Sequence, residues 1–333
     1  MYFLINAIGF TCFFIPHTSL LSRMTLNGLE RQKIASMEQI INQVCALAVT
    51  TFWVPLVNGV GYRVTAIIYG VLAGVLILFG FFGTKEVIET PGTTEKKTQE
   101  DNVSLKTSAG YLIHNRYFWL ETALFGLLLF HNMSSGTVMY YYCNNVLQNA
   151  GYVAVLSACG MIPAIVMNLL VPTFVKKFGK RRVLINGAIA IIITSVLMGM
   201  MSGSLVMIAI LYCIKGFFLG SMFACAFALT GDVVDYGEWK FGVRSEGLVN
   251  AGVSIGQKAG LGFGPAVSSW IIGVGGYDGL AKTQSASALA SINFSFTFLA
   301  AIIGAAILLV VIAMNLDKYM PQIQSELQKN HRP

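Results

Sequence analysis

Residues 231–258 read GDVVDYGEWKFGVRSEGLVNAGVSIGQK and join a charged segment to a glycine-rich apolar one. Five acidic or basic side chains fall between Asp232 and Arg244, in a chain that is only 11% charged and 55% hydrophobic. Lys258 lies about ten residues inside the apolar run, and a charge at that depth costs roughly 2.5 to 3.5 kcal/mol to insert into a membrane. The stretch therefore predicts a charged connector that leads into a membrane helix with a functional lysine.

Long apolar segments recur along the rest of the 333-residue chain. About twenty apolar residues are needed to cross a hydrocarbon core as a helix, whereas the strands of a membrane β-barrel would give alternating segments of about ten. The sequence thus predicts an all-α, polytopic membrane protein that lies in a lipid bilayer. The nine predicted spans are 1–20, 37–58, 62–83, 117–137, 152–174, 183–202, 205–229, 247–274 and 292–314.

The net charge of +7 follows the predicted topology. Eighteen of the 22 lysines and arginines fall in alternate connectors between the spans. Because basic connectors remain on the cytoplasmic side, this distribution predicts a multi-pass protein of the cell membrane with its C-terminus in the cytoplasm and its N-terminus on the other side. The basic excess is a topology signal, and nucleic acid is not an expected partner.

Motifs of soluble and metal-dependent enzymes are absent from the sequence. The six cysteines are scattered without a CxxC pair, which indicates neither a disulfide framework nor a zinc site. The patterns GxxxxGK[ST] and HExxH do not occur either. We therefore expect no enzymatic activity, no catalytic residues, no bound metal and no organic cofactor.

The longest connector divides the predicted spans into three and six. Residues 84–116 are rich in Thr, Glu, Lys and Pro and have no apolar period, which is typical of a flexible linker. The predicted organisation is a group of helices at 1–83, a cytoplasmic linker at 84–116, a six-helix half at 117–316 and a cytoplasmic tail at 317–333.

The acids of the opening stretch recur at every third residue: Asp232, Asp235 and Glu238. On a helix this spacing follows one slanted face, and DxxD is also a magnesium-binding pattern of membrane prenyltransferases. That enzyme class needs a second Asp-rich motif, which the sequence lacks. With Lys240, Arg244 and Glu246 nearby, the pattern favours a salt-bridge network, and a prenyltransferase-like enzyme remains the least supported alternative.

Glycines recur at four-residue spacing in the span that carries Lys258. They are Gly252, Gly256, Gly260 and Gly264, and this spacing predicts one helix face on which another backbone packs closely. Lys258 lies about 200° from Gly256 around the helix, so its ammonium is expected to face away from that contact.

Other polar residues in the spans allow two interpretations each. Lys215 could extend toward the outer interface or take part in binding. His131 fits a satisfied polar residue between helices or a proton relay. Residues 140–142, three consecutive tyrosines, fit an aromatic belt at the outer interface or the wall of a sugar-stacking pocket.

Several motifs, taken together, resemble one transporter family. GDVVDYGEWKFGVRSEGLVNAGVSIGQKAG closely resembles the signature of the glycoside-pentoside-hexuronide:cation symporters, the sodium:galactoside symporter group of the major facilitator superfamily. Further similar stretches occur in order along the chain: IPHTSL, LERQKIAS, NRYF and FVKKFGKRR. The resemblance covers nearly the whole chain and implies a partial major facilitator fold that corresponds to helices four to twelve of twelve.

The family resemblance implies roles for particular residues. Lys258, with Ser254 and Gln257 beside it, matches the sugar and cation pathway, and Thr11 matches a threonine that contributes oxygen to the cation site. Asp232, Asp235, Arg244 and Glu246 are assigned to a cytoplasmic charge network that helps to close the inward gate. The implied partners are a small sugar or glycoside and a coupling Na⁺ or H⁺, and the expected state is monomeric.

Three positions depart from the melibiose-permease-like pattern. Phe14 replaces an acid that binds the galactoside, and Glu38 replaces an arginine. Thr18 occupies a tryptophan position, and we keep Thr18 among the predicted substrate-binding residues. These changes make an α-galactoside an unexpected substrate. The family's paired cation-binding carboxylates belong to its second helix.

The predicted function is sugar:cation symport by alternating access. The alternative is a truncated, non-transporting remnant, or an interaction or sensor protein, derived from such a symporter.

Overall fold

The computed structural model describes residues 28–83, 110, 113–201, 203–242, 245–281 and 283–330. The predicted span 1–20 and most of the predicted linker 84–116 lie outside these residues. The secondary structure of the described part is helical. In chain order the α-helices are α1 (Gly28–Val60), α2 (Tyr62–Gly83), α3 (Arg116–Tyr141), α4 (Tyr152–Phe178), α5 (Lys180–Met200), α6 (Leu205–Phe241), α7 (Glu246–Val274), α8 (Ala286–Phe296), α9 (Phe298–Ala313) and α10 (Met320–Asn330).

The charged connector predicted after residue 229 is wrong for most of its length. Helix α6 continues without a break from Leu205 to Phe241 and ends at Gly242, whose φ of 70° is left-handed. A left-handed glycine is a common helix terminator because it has no Cβ to clash. The acids of this stretch are therefore helical residues, and buried ion pairs, described below, hold two of them.

The predicted span 292–314 lies within one apolar segment, Ala286–Lys318, which is long enough to cross a membrane and which bends between two helices. Helices α8 and α9 meet at Thr297, where φ is −112° and ψ is −71°. The Thr297 hydroxyl donates a hydrogen bond to the Asn293 carbonyl oxygen at 2.7 Å. Such back-bonding from threonine to the preceding turn bends helices.

Five described segments are long and apolar enough to cross a membrane. They are Tyr62–Gly80, Tyr152–Phe178, Lys180–Met200, Leu205–Phe241 and Ala286–Lys318. The protein is an all-α, multi-pass membrane protein, and the total of nine spans remains a prediction.

The predicted glycine face of α7 is confirmed by its packing on α3. A Cβ added at Gly256 would lie 2.1 Å from the Thr122 carbonyl oxygen, and one at Gly260 would lie 2.3 Å from the Gly126 carbonyl oxygen. The two backbones are thus in direct contact, which only residues without a Cβ allow. Farther along, the Ser134 and Ser268 hydroxyls form a 2.5 Å hydrogen bond between the same helices.

Helices α1 and α2 form one group, and helices α3 to α9 form a second. Helix α1 connects the two groups, because it packs on α4 and α6 of the second group. The buried face of α1 lies near its start and includes Arg31, Gln32, Ala35 and Ser36. Arg31 is therefore the first of these buried residues along α1 at the contact between the two groups.

The two ends of the second group differ in charge. Four buried ionic side chains cluster at one end of the described bundle, which we call the charged end: Arg31, Lys180, Asp232 and Asp235. The other end, where Tyr141, Tyr152, Met200 and Leu205 lie, is the opposite end. The topology predicted from the sequence places the charged end at the cytoplasm.

The predicted tail 317–333 contains a further helix, α10, which packs against α6. Its apolar residues Ile323 and Leu327 are buried. The Trp239 indole Nε1–H donates a hydrogen bond to Glu326 Oε2 at 2.5 Å. The C-terminal helix is therefore held on the last turns of α6 by apolar packing and by a charge-assisted hydrogen bond.

Replacement of Trp239 by phenylalanine is expected to loosen α10. The variant keeps a large apolar ring but loses the donor to Glu326, at a cost of about 1 to 2 kcal/mol, or a 5- to 30-fold change in a local opening equilibrium. Amide hydrogen exchange in α10 should accelerate by that factor. The control is Trp270→Phe, since Trp270 is 70% exposed. Equal exchange in both variants would show that the indole bond does not hold α10.

Candidate functional site

Arg31 reaches the second group from the first turn of α1. Its guanidinium is fully buried, and Nη1 and Nη2 donate to the two carboxylate oxygens of Asp235 at 2.6 and 3.3 Å. This two-point contact matches the planar fork of arginine to the carboxylate. Gly231 makes room for it, because a Cβ there would lie 2.9 Å from Arg31 Nη1.

Lys180 completes the ionic contacts from the start of α5. Its Nζ lies 2.6 Å from Asp232 Oδ2 and donates to the Ala228 carbonyl oxygen at 3.1 Å. Asp232 also lies 3.9 Å from Arg31 Nη1, so the two ion pairs are adjacent. Gly179, at φ 83°, ends α4 and turns the chain so that Lys180 opens the next helix.

These four side chains, Arg31, Lys180, Asp232 and Asp235, form what we call the ionic lock. Each is at most 8% exposed, so water screens their attraction very little. Removal of one member of a buried pair usually costs about 3 to 5 kcal/mol, because its partner stays buried without the opposite charge. The lock therefore joins α1, α5 and α6 firmly at the charged end.

A further hydrogen bond continues this polar layer into the bundle. The Thr230 hydroxyl donates to Glu121 Oε1 at 3.1 Å, and the Glu121 side chain is fully buried on α3. Helix α3 is thus linked to α6 within one turn of the lock. Buried polar networks of this kind fix how helices are positioned relative to one another.

The salt-bridge interpretation of the Asp232 and Asp235 spacing agrees with these contacts, and the described partners are Arg31 and Lys180. Lys240 donates to the Tyr236 hydroxyl. Glu246 is buried at the start of α7, and Arg244 lies outside the described residues.

Sequence reasoning missed Arg31 and Lys180. Both lie in motifs that the family resemblance used, LERQKIAS and FVKKFGKRR, but their role was taken to be topological. A usable signal was available, because two buried acids at one end of a bundle require two cations at the same end.

The predicted substrate residues of α7 occupy one turn of that helix. Ser254 and Gln257 are buried, whereas Lys258 is exposed on the face away from α3, as its angle to the glycines predicts. Thr11 and Thr18 lie outside the described residues. The structure thus places Ser254, Gln257 and Lys258 within one helical turn. It does not describe the position of Thr11, the predicted cation-site residue.

The structure describes the three polar positions that allow two interpretations each. The two ring nitrogens of His131 have no hydrogen-bond partner among the described residues. Lys215 is only 3% exposed and does not extend to an interface. Tyr140 is half exposed, which suits a belt, whereas Tyr142 is buried and stacks on Phe296 at 4.4 Å between ring centroids.

Comparisons with known proteins identify the fold and the family. A solved major facilitator superfamily transporter, FucP in its outward conformation, superposes with a TM-score of 0.64 at 14% identity, over 92% of this chain and 73% of that one. This similarity shows the major facilitator fold. Neither the fold nor the family described next is that of an enzyme.

Curated relatives are similar over most of this chain. An isoprimeverose transporter of Lactiplantibacillus pentosus is 27% identical over 95% of the chain and 67% of its own length. The inner membrane symporter YicJ of Escherichia coli is 27% identical over 86% of the chain and 63% of its own length. The chain thus spans about two thirds of these relatives. The sequence profile of the MFS/sugar transport protein family matches residues 1–318, and the chain belongs to that family.

Proposed function

We propose that this chain carries a sugar across the membrane together with Na⁺ or H⁺, by alternating access. The two helix groups would rock about a central site, as in other transporters of this architecture. The substrate is a glycoside, pentoside or hexuronide, and the protein acts as a monomer in the cell membrane with its C-terminus in the cytoplasm. The names of the relatives, an isoprimeverose transporter and a symporter, support this class of function.

The ionic lock is the observation that carries the proposal. Arg31 belongs to the first helix group, whereas Asp232 and Asp235 belong to the second, so their ion pairs close the charged end between the groups. A buried ion pair between two rigid groups can exist in only two arrangements, formed or broken, which suits a gate. With the charged end at the cytoplasm, the described state is the one closed on the inside.

Lys258, Ser254 and Gln257 are the proposed substrate contacts on the second group. Lys258 lies twelve residues from Glu246, at the start of α7, which is about 18 Å along the helix and near the middle of a 30 Å hydrocarbon core. An ionisable side chain at that depth is expected to serve a transport pathway. Thr11 is proposed as an oxygen ligand of the coupling cation, and Thr18 as a further substrate contact.

Uptake assays test this function directly. Cells that express the 333-residue chain receive labelled glycosides, pentosides and uronides, with and without a gradient of Na⁺ or pH. We expect one sugar to accumulate only when one gradient is present. If no sugar accumulates although the protein is found in the membrane, the chain is not a transporter on its own, and the interaction or remnant alternative gains support.

Substitution of Lys258 by alanine is expected to abolish sugar uptake. The change removes the only charge of α7 at mid-membrane depth and leaves the glycine contact with α3 intact. The loss should exceed about a hundredfold if the ammonium makes two charge-assisted bonds to the sugar. The matched control is Lys177→Ala, at an exposed lysine near the end of α4. Unchanged uptake in the Lys258 variant would remove this residue from the site.

A further inference from the structure

The turn between α4 and α5 presents Lys180 to the ionic lock. Its central residue is Gly179, whose φ of 83° is left-handed, and α5 begins at the next residue. The first N–H groups of a helix have no partner within the helix, so the side chain that precedes them normally accepts one. Gly179 has no side chain that could do so. The start of α5 therefore needs an acceptor from another part of the chain.

Asp317 supplies that acceptor, although it lies 136 residues from Arg181 in the chain. Its Oδ2 accepts a hydrogen bond from the Arg181 backbone N–H at 2.9 Å. A Cβ added at Gly179 would lie 3.0 Å from the same oxygen, so the carboxylate lies directly against the turn. The helix dipole also favours a negative charge at the start of a helix. Asp317 thus caps α5 in the place of a neighbouring side chain.

The segment that carries Asp317 is itself fixed to α5. Asp317 belongs to a 3₁₀ turn, Leu316–Lys318, which lies between α9 and α10. In return, the Arg181 guanidinium donates from Nε and Nη2 to the carbonyl oxygens of Val311 and Ile312 at 3.3 and 2.5 Å. Three hydrogen bonds of one residue, Arg181, thus join the start of α5 to the end of α9 and to the turn that follows it.

Lys180 lies between the two residues that contact Asp317. Its Nζ is 2.6 Å from Asp232 Oδ2, whereas Asp232 Oδ1 has no hydrogen-bond partner among the described residues. Arg31, whose Nη1 is 3.9 Å from Asp232 Oδ1, already makes its two-point contact with Asp235. The lock therefore provides one cation for each acid, and Asp232 depends on Lys180 for its hydrogen bond.

We propose that Asp317 is a positioning residue of the gate: by capping α5, it holds Lys180 in the ionic lock. This inference rests on the proposed transport function, in which the lock closes the charged end. Without the cap, the first turn of α5 loosens and Lys180 withdraws from Asp232. The closed state would then bury two carboxylates against one guanidinium, whereas the open state would let water reach them. Loss of the Asp317 carboxylate thus favours opening at the charged end.

Amide hydrogen exchange of the full chain in lipid nanodiscs tests this role. Asp317→Ala removes the acceptor, whereas Asp317→Asn keeps a side-chain oxygen that caps helices about as well. We expect exchange at the start of α5, residues 181–186, to accelerate about 2- to 30-fold in Asp317→Ala, the range for loss of an N-cap. Exchange in residues 32–36 of α1 should accelerate as well, by at most that factor, because the lock holds α1 on α6. Asp317→Asn should keep exchange slow in both places.

A control and a double variant test whether the effect on α1 passes through Lys180. The control, Asp278→Ala, removes a carboxylate that accepts the Leu280 backbone N–H at the same distance, 2.9 Å, in the exposed loop after α7. It should leave exchange in α5 and α1 unchanged. In a Lys180→Met background the lock has already lost its lysine, so Asp317→Ala should accelerate exchange in α5 but add nothing in α1.

Each other outcome overturns a defined part of the inference. Faster exchange in α5 alone would show that Asp317 only caps a helix and has no part in the gate. Unchanged exchange in both helices would overturn the cap as well. Further acceleration of α1 in the Lys180→Met background would show that the effect does not pass through Lys180. Because exchange needs no sugar, a failed uptake assay would count against the proposed function and leave these exchange results to decide the role of Asp317.

Discussion

Replacement of Arg31 by methionine is expected to lower the free energy of unfolding by about 3 to 5 kcal/mol, the usual cost of removing one member of a buried ion pair. The Asp235 carboxylate would remain buried while the guanidinium that contacts both of its oxygens is lost. Asp232, which lies 3.9 Å from the same guanidinium, would lose part of its positive surroundings as well. Chemical unfolding of the purified protein in detergent measures this change.

The matched control for Arg31→Met is Lys33→Met. Lys33 is exposed, lies two residues farther along α1 and carries the same charge, so its replacement should change stability very little. A double variant, Arg31→Met with Asp235→Leu, should be more stable than the sum of the two single changes predicts, because it removes both members of this pair and leaves neither of them buried alone. Additive losses would contradict direct coupling between these two residues.

The same contact has a functional readout. Asp235→Asn removes the charge from the lock but keeps the shape of the side chain, so the gate closes less firmly. We expect slower turnover with little change in the apparent affinity for sugar, because the substrate contacts on α7 are untouched. A large loss of affinity at normal turnover would contradict the gate assignment.

Replacement of Gly256 by alanine is expected to separate helices α3 and α7. The new Cβ would lie 2.1 Å from the Thr122 carbonyl oxygen, and a backbone atom cannot move aside as a flexible side chain can. Overpacking of this kind costs about 1 to 3 kcal/mol and sometimes more. Thermal unfolding of the purified variant should show a clear drop in midpoint, and its yield in membranes should fall.

Gly262 provides the matched control for Gly256 on the same helix. It is exposed, and no atom of the described residues lies within 4 Å of a Cβ built there. Because alanine favours a helix over glycine by about 1 kcal/mol, Gly262→Ala should be neutral or slightly stabilising. Equal destabilisation by the two substitutions would show that loss of glycine flexibility, and not the helix contact, is responsible.

Local sequence patterns predicted the contacts that depend on spacing within one helix. The glycines of α7 and the angle of Lys258 to them follow from the period of the α-helix, and both were correct because a single helix determines them. The bounds of α2 were also correct, because Arg63 and the glycines near Gly61 mark a turn between two apolar runs.

Contacts between distant segments could not be predicted in the same way. Arg31 and Asp235 are 204 residues apart, and nothing within either motif states that they meet. The charged residues after position 229 were placed in a connector because charge normally ends a membrane helix. Partners from α1 and α5 made it possible for α6 to continue, so the error has a tertiary cause.

Helix α6 is a single rod of 37 residues with no proline in it. It carries Lys215 and Asp235 twenty residues apart, which corresponds to about 30 Å along its axis. A rod of this length acts as a lever, because a tilt of about 5° at one residue displaces the other by about 2 to 3 Å over that 30 Å. Such a displacement is enough to break a 2.6 Å ion pair. Movement near the middle of the bundle would therefore reach the charged end mechanically, with no relay of side chains between them.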